Sequence, residues 1–225
     1  MAASGTGRTR STTAVRRISI AAVVIAACGV LAPAANAGLL VKSAGTCAAQ
    51  PLERPFQRWL DLADYTLLPG GTFEGGALGW RALGWSLTGA RRAAGNEPFY
   101  VHGAGETRSL SLPAGSTATS PTICVGLYHP TMRFFARASD GGLLSALSTL
   151  RVDVLFEDAG GTVHSLPIGV VPRTGQWAPT LPAPVLANLL PLLPDDMTPV
   201  AFRFTPSGTA SWTIDDVYVD PKRRS

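Results

Sequence analysis

The chain has 225 residues, of which 46% are hydrophobic and 15% are charged, and its formal net charge is +4. Four of the 19 basic residues are arginines near the start of the chain, whereas no acidic residue precedes Glu53. Beyond residue 37 the chain therefore carries 15 basic and 15 acidic residues. This formal neutrality removes the compositional support for a nucleic-acid partner and makes neutral polar ligands the more reasonable expectation.

The first 37 residues have the three-part pattern of a secretory signal peptide. The early arginines are followed by the apolar run Ile18–Leu31 and by small residues at Ala35–Ala37. The run has about 14 residues, which is shorter than the roughly 18 to 20 that a transmembrane helix needs. We therefore expect cleavage after Ala37, a secreted protein without a membrane span, and a flexible leader over residues 38–46. Because small residues also precede Cys28, a lipid anchor at that cysteine is the alternative.

Two cysteines, Cys47 and Cys124, remain after the signal peptide, and an even number in an exported chain predicts a disulfide bond. The bond would close a loop of 77 residues. For a loop of this length, the chain-entropy model gives about 4 to 5 kcal/mol of stabilisation. The alternative is a pair of unpaired buried thiols. Neither the cysteine spacing nor the scattered histidines support a zinc cluster.

Most of the chain after residue 46 has the two-residue periodicity of half-buried strands. In Arg151–Glu157, apolar residues alternate with charged ones. A helical pattern is limited to a short turn within Phe56–Ala63. The same alternation occurs in Ser109–Leu112, Met132–Arg137 and Val200–Phe204. Glycine- and proline-containing turns separate these segments. The pattern predicts one monomeric all-β sandwich domain of about nine or ten strands over residues 47–220, with a charged tail at 221–225.

Two segments at opposite ends of this domain carry a recognisable pair of motifs. Pro69–Glu74 reads Pro-Gly-Gly-Thr-Phe-Glu and is followed by Gly79-Trp80, and Ser211–Val219 reads Ser-Trp-Thr-Ile-Asp-Asp-Val-Tyr-Val. Together they resemble the galactose-binding-like jelly rolls that occur as carbohydrate-binding modules. This resemblance implies a single jelly-roll β-sandwich. The chain also resembles a group of uncharacterised secreted actinobacterial proteins, through Gly95–Phe99, Arg133–Ala136 and Ile214–Pro221.

The resemblance further implies a structural calcium ion that ties the first strand to the last. By motif position, its ligands are Glu74 and Asp215 or Asp216, with Thr72 contributing a carbonyl or hydroxyl oxygen. Calcium suits such a site because it takes six to eight hard oxygen ligands in flexible geometry. The alternative is that Glu74 pairs with an arginine and that the Asp-Asp step faces water.

The Asp-Asp step interrupts an otherwise apolar strand. Strict alternation puts Asp216 on the same face as Trp212 and Ile214, and puts Asp215 on the face of the two valines that follow. An acidic residue on either face needs a partner, because an unpaired buried carboxylate is costly.

The sequence contains no catalytic motif of the common types: no Gly-x-Ser-x-Gly elbow, no His-Glu-x-x-His and no phosphate-binding glycine loop. A carboxylate pair for glycoside hydrolysis could be drawn from Glu97, Glu106, Asp153 and Glu157, but any chain with 15 acidic residues offers as much. We therefore expect no enzymatic activity.

Sugar recognition needs flat aromatic faces framed by hydrogen-bonding groups. Trp85 and Trp212 lie in strand patterns and are expected in the core. Arg133 and Arg137 occupy the polar side of their strand, where they either line a ligand or form surface ion pairs. The aromatic candidates for ligand contact, at loops or strand ends, are Trp80, Tyr100, Tyr128 and Trp177.

These features predict a secreted, non-catalytic binding module for a glycan or cell-wall polysaccharide. The glycan assignment comes from the resemblance to carbohydrate-binding modules. The alternative is a structural or adhesive cell-envelope protein that binds no small molecule, whose working surface would be the apolar segment Val185–Leu193.

Overall fold

The computed structural model describes residues 1–2, 47, 49–75, 83–126, 130–139, 142–158, 160–186 and 197–221. Their strands form two antiparallel sheets. The first sheet contains β1 (Thr66–Leu67), β3 (Arg91–Ala94), β4 (Arg108–Leu112), β7 (Thr131–Ala138), β10 (Ala178–Pro179), β11 (Ala183–Pro184) and β13 (Trp212–Asp220). The second contains β2 (Ser86–Thr88), β5 (Thr117–Thr119), β6 (Ile123–Val125), β8 (Thr149–Glu157), β9 (Val163–Pro172) and β12 (Thr198–Ser207). Short 3₁₀ helices occupy Gln57–Trp59 and Leu143–Leu147.

The strand order is that of a jelly-roll β-sandwich, and the predicted fold class is confirmed. The first sheet has the order β10-β7-β13-β4-β3, and the second has the order β2-β5-β12-β8-β9. The chain passes repeatedly from one sheet to the other, so that β12 lies in the second sheet and β13 in the first. The structure divides the predicted nine or ten strands into more elements, because several are only two or three residues long.

Apolar side chains from both sheets meet in one core. On β8, Val152 and Val154 point inward, as the alternation of Arg151–Glu157 predicts. Phe204 of β12 packs edge-on against Phe134 of β7, with ring centroids 5.3 Å apart. Trp85 and Trp212 belong to this core, as predicted. Burying an aromatic side chain of this kind stabilises the fold by about 1.5 to 3 kcal/mol.

A β-bulge interrupts β13 at the Asp-Asp step. The pairing register between β7 and β13 shifts between Asp215 and Tyr218, and Asp216 has a φ of 47°. The extra residue resets the alternation, so that Val217 and Val219 face the core together with the first half of the strand. The prediction of strict alternation is therefore wrong, since it put these valines on the face opposite Trp212.

The turn Leu68–Gly71 docks into this bulge. The N–H of Leu68 donates to the carbonyl of Val217 at 2.9 Å, and the N–H of Val217 donates to the carbonyl of Gly71 at 3.1 Å. A Cβ atom at Gly71 would lie 2.8 Å from the Val217 oxygen, so only glycine allows this approach. The early and late motifs thus meet through backbone hydrogen bonds.

The beginning of the described chain is fastened to the sandwich before it crosses the first sheet. The predicted disulfide is confirmed: Cys47 is bonded to Cys124, with Cα atoms 5.7 Å apart. The following segment folds back on itself where Glu53 and Tyr65 exchange two backbone hydrogen bonds of 2.8 Å. The predicted short turn is the 3₁₀ helix Gln57–Trp59. Within the described residues, no helix is both long and apolar enough to cross a membrane.

Candidate functional site

The segment of residues 53–65 covers the outer face of the first sheet and completes an aromatic layer there. We call this layer the outer aromatic cluster. The ring centroids of Phe56 and Phe135 are 5.5 Å apart, and those of Phe56 and Tyr65 are 5.0 Å apart. Phe135 and Tyr218 reach this side because their neighbours along β7 and β13 face the core. The cluster consists of buried Phe56, Tyr65, Phe135 and Tyr218, with Trp59, Phe99 and Trp177 packed against them.

Arg133 lies beneath this segment, and its guanidinium contacts Asp61, Thr180 and Phe56. Its side chain is 7% exposed and forms an ion pair with Asp61. Its Nε donates to the carbonyl of Thr180 at 2.7 Å, and its guanidinium carbon lies 4.4 Å from the centroid of the Phe56 ring. Although burial acts in the opposite direction, hydrogen bonds from Tyr65 and other groups hold the pKa of Asp61 below its usual value. This placement does not support the prediction that Arg133 contacts a ligand.

Tyr100 stands at the edge of an open depression beside the cluster. Its side chain is 52% exposed, and its φ of 50° lies in the left-handed region that costs energy for a tyrosine. The guanidinium carbon of Arg58 lies 5.3 Å from the centroid of Trp59 and 5.7 Å from that of Phe99. The depression has a volume of about 470 Å³ and is lined by Arg54, Pro55, Gln57, Arg58, Phe99, Tyr100 and Val101.

Trp177 immediately precedes β10 and carries an arginine on its ring. The guanidinium carbon of Arg137 lies 5.0 Å from the centroid of Trp177. The pairing register places Arg137 opposite Thr213, Thr213 opposite Ser111, and Ser111 opposite Arg91. These side chains share the outer face of the first sheet, because their neighbours Leu112, Trp212 and Ala138 face the core. We call Arg91, Ser111, Thr213 and Arg137 the polar row.

The five residues predicted to contact a ligand differ in where they lie relative to the outer aromatic cluster. Trp177 packs against the outer aromatic cluster, and Tyr100 lies between two residues that do so. Trp80 and Tyr128 lie outside the described residues. Gln57 and Arg58 were not predicted from the sequence. The only sequence feature that could have indicated them is that they lie within two residues of Trp59 in the predicted short turn.

Three carboxylates are fully buried where the loop after β3 meets the bulge of β13. Glu97, Asp215 and Asp216 are each 0% exposed. The Glu97 carboxylate accepts hydrogen bonds from the backbone N–H groups of Phe99 and Val101, at 2.5 and 2.7 Å. The N–H of Glu97 donates to Asp215 at 3.0 Å. Glu97 therefore shapes the loop that carries Tyr100, a role the sequence did not indicate.

The environment of Asp215 and Asp216 disfavours negative charge. Burial raises the pKa of Asp215 to about 9, and the charge of Asp216 adds to the rise. Burial also raises the pKa of Asp216 to about 8, with contributions from Glu106 and Glu97. Among the described residues, Oε2 of Glu106 has no hydrogen-bond partner, and Asp216 accepts only a weak backbone hydrogen bond from His102, which opposes the rise in its pKa. Such groups require a proton or a cation to be stable inside a protein.

The other two predicted calcium ligands, Thr72 and Glu74, contact each other and the start of β4. Thr72 Oγ1 accepts the N–H of Glu74 at 3.3 Å, and Glu74 accepts two backbone N–H groups at the start of β4. Burial raises the pKa of Glu106, and the charge of Glu74 adds to the rise. Within the described ranges, no three carboxylate, imidazole or thiol groups are arranged to hold a metal ion by themselves. The carboxylate oxygens of Asp216 and Glu106 are nevertheless of the hard type that calcium takes.

A different concavity opens between β9 and the segment Pro179–Pro184. Its volume is about 300 Å³, and its lining is apolar apart from the hydroxyl groups of Thr174 and Thr180. Sugar hydroxyls need several convergent polar partners. This cavity therefore does not fit a glycan, and the outer face of the first sheet is the better candidate surface.

The strand order and the outer aromatic cluster define a jelly-roll β-sandwich with an aromatic and polar surface on one sheet. No family model and no curated protein sequence matches the chain.

Three solved structures illustrate what the chain is similar to. One is Clostridium thermocellum xylanase 10B, seen as its CBM22-1 and GH10 modules with xylohexaose; it is 18% identical over 62% of this chain and 26% of that chain, with a TM-score of 0.44. The CBM22-1 xylan-binding domain of Paenibacillus barcinonensis Xyn10C is 11% identical over 79% of this chain and 100% of that domain, with a TM-score of 0.43. TmCBM61 in complex with β-1,4-galactotriose is 14% identical over 60% of this chain and 87% of that chain, with a TM-score of 0.36. The chain thus spans about a quarter of the xylanase chain.

Proposed function

We propose that the protein is a secreted, non-catalytic binding module for a glycan or cell-wall polysaccharide, which lies across the outer face of the first sheet. The observation that carries the proposal is the common location of Tyr100 and Trp177, which flank one aromatic cluster and each have an arginine nearby. Pyranose rings stack their C–H faces on aromatic side chains, while hydroxyl groups bind polar side chains at the edge.

Polar groups of the kind a sugar needs lie beside both aromatic residues. Gln57 lines the depression at Tyr100. Ser111 and Thr213 lie on neighbouring strands in the polar row that leads to Arg137 and Trp177. Because strands hold Ser111, Thr213 and Arg137 at fixed spacing, a ligand would meet a rigid surface along the polar row, which limits the entropy lost on binding.

The burial of three carboxylates argues against their use as catalytic groups. A glycosidase needs two carboxyl groups that reach the scissile bond from opposite sides. Glu97, Asp215 and Asp216 are fully buried, and Glu97 already accepts two backbone hydrogen bonds. These acids therefore suit a structural role.

We further propose that a calcium ion binds at the buried carboxylates. Asp216 and Glu106 have the oxygens best suited to hold it, because Oε2 of Glu106 has no partner among the described residues and Asp216 accepts only a weak backbone hydrogen bond from His102. Glu74, Asp215 and Thr72 remain the ligands predicted from the motifs. When bound, the ion would supply the positive charge that this cluster lacks. Asp216 would then be held to the loop that contains Glu106, and Tyr100 would gain a more rigid support.

Trp177→Ala is expected to weaken binding to the cognate polysaccharide about tenfold, since it removes an aromatic face and the support of Arg137. Tyr100→Ala is expected to reduce binding to a similar extent. The measurement is co-sedimentation with insoluble xylan, galactan and peptidoglycan, followed by affinity electrophoresis with the polymer that binds. Leu181→Ala is the matched control, because Leu181 is 84% exposed but lines the apolar cavity.

Thermal melting of each variant checks that the fold is intact. Equal binding by the native protein and by folded Trp177→Ala and Tyr100→Ala variants would rule out this surface. Binding to no polysaccharide, together with capture of a cell-envelope protein, would favour the adhesive alternative. The segment Val185–Leu193, to which that alternative was assigned, lies outside the described residues from position 187 onward.

A further inference from the structure

Charged residues of the two signs are distributed unequally between the interior and the surface. Among the described residues, six acidic side chains are buried: Glu97, Asp153, Glu157, Asp215, Asp216 and Asp220. Arg133 is the one described arginine that is buried. Six of the described arginines are exposed. Only two of the described acidic residues, Glu53 and Asp64, are exposed. A composition that is formally neutral therefore folds into a domain whose described surface is positive.

Four of the exposed arginines lie on the proposed glycan surface. Arg54 and Arg58 line the depression at Tyr100, and Arg91 and Arg137 lie at the two ends of the polar row. Arg54 forms an ion pair with Asp64 at 2.8 Å. In the described part of the chain, no ion pair involves the other three. Asp215, two residues along β13 from Thr213 in the polar row, is buried and accepts the N–H of Glu97.

The spacing of the polar row suits a ligand with separated charges. Arg91 and Arg137 lie on strands three steps apart in the sheet order, which is about 14 Å at the usual strand spacing. Ser111 and Thr213 occupy the positions between them. Guanidinium groups match carboxylate and phosphate groups with two parallel hydrogen bonds, which neutral sugar hydroxyls cannot form as strongly. The ring of Trp177 holds the Arg137 guanidinium in place.

We infer that the glycan bound at this surface is anionic, with carboxylate or phosphate groups that pair with Arg91 and Arg137 while its hydroxyls meet Ser111 and Thr213. The inference rests on the proposed glycan-binding function and replaces the expectation of a neutral ligand. That expectation followed from the equal numbers of acidic and basic residues, which do not reveal that half of the described acids are inside.

The test compares polymers that differ only in charge. The protein is titrated with glucuronoxylan and with the same polymer after its uronic acids are reduced to neutral sugars. Poly(glycerol phosphate) distinguishes a phosphate from a carboxylate source, and double-stranded DNA tests charge without sugar specificity. We expect at least about tenfold tighter binding of one acidic polymer than of neutral xylan at low salt, with the difference shrinking as salt screens the charges.

An arginine double variant, Arg91→Gln with Arg137→Gln, should lose about tenfold in affinity for the acidic polymer and little for the reduced one. Arg108→Gln removes one charge from the opposite side of β4 and should change neither affinity. Equal affinity for the acidic and reduced polymers would overturn the inference and leave the glycan-binding function standing. Failure to bind any polymer would overturn both. DNA binding as tight as acidic-glycan binding would also overturn the inference, because charge alone would then be recognised.

Discussion

Replacing Cys47 and Cys124 together with serine is expected to lower the free energy of unfolding by about 4 to 5 kcal/mol. The disulfide closes a loop of 77 residues, so its loss returns a large amount of conformational freedom to the unfolded chain. Domains of this size have a total stability of about 5 to 15 kcal/mol. The variant should therefore melt about 10 to 15 °C lower. Guanidinium unfolding followed by tryptophan fluorescence measures the difference.

Reduction of the native protein provides the matched control. With dithiothreitol present, the native protein should unfold at the same guanidinium concentration as the serine variant, and the variant itself should not respond. The hydrogen bond from Gln50 Nε2 to the carbonyl of Cys124, 2.8 Å long, is available in both proteins and so does not account for a difference between them. An unchanged midpoint in the variant would show that the unfolded chain gains little freedom when the loop is opened.

Local alternation was sufficient to predict an all-β sandwich, whereas the jelly-roll fold was implied by the resemblance of the two terminal motifs. The strands β8 and β12 have apolar residues at every second position, and these are the positions that face the core. The last strand departs from this rule, because its bulge depends on residues 68–71, far away in sequence. Gly71 and Val217 approach each other through backbone atoms, and no periodicity within β13 contains that contact.

Arg133 illustrates a second limit of sequence reasoning. Alternation correctly put it on the face of β7 opposite Phe134, but it did not indicate what covers that face. The cover is the segment around Phe56 and Asp61, about seventy residues earlier in the chain. A polar residue on the outer face of a strand is therefore exposed only where no other segment folds over it.

The buried acids show the same dependence on long-range contacts. The hydrogen bond between Glu97 and Asp215 joins residues 118 positions apart. In the sequence, Glu97 lies in a Gly-Asn-Glu-Pro turn, where a solvated carboxylate is the usual outcome. The motifs did point to Asp215 and Asp216, but they could not reveal that Glu97 and Glu106 join them.

The stability of the calcium-free protein is expected to fall as the pH rises from about 4 to about 9. In the unfolded chain an aspartate titrates near pH 4. In the folded protein, burial raises the pKa of Asp215 to about 9 and that of Asp216 to about 8. At a pH between the unfolded and folded pKa values, each aspartate of the folded protein must either hold a proton that the unfolded chain has released or bury a charge. The contribution of Asp215 and Asp216 to stability is therefore intact in acid and is lost progressively as the pH rises through their folded pKa values.

Calcium should reverse this loss, because a cation at Asp216 and Glu106 removes the penalty for ionising them. At pH 8, a calcium concentration a hundredfold above the dissociation constant would stabilise the fold by about 2.7 kcal/mol, or roughly 5 to 10 °C in melting temperature. At pH 5 the gain should be smaller, since protons compete with the ion. The measurement is thermal unfolding across this pH range, in EDTA and in calcium, with magnesium as the control for ionic strength.

Two aspartate variants separate the buried site from acidic residues in general. Asp216→Asn should abolish the calcium response and reduce the pH dependence in EDTA, because it removes one of the two aspartates whose folded pKa is raised, while burial of Asp215 retains the rest. Asp158→Asn should leave both unchanged: Asp158 lies in the β8–β9 hairpin, where hydrogen bonds from His164 and the backbone lower its pKa. Equal melting temperatures in EDTA and calcium at pH 8 would eliminate the calcium proposal. In that case a persistent decline in stability with pH would mean that these carboxyl groups are stabilised by protons alone.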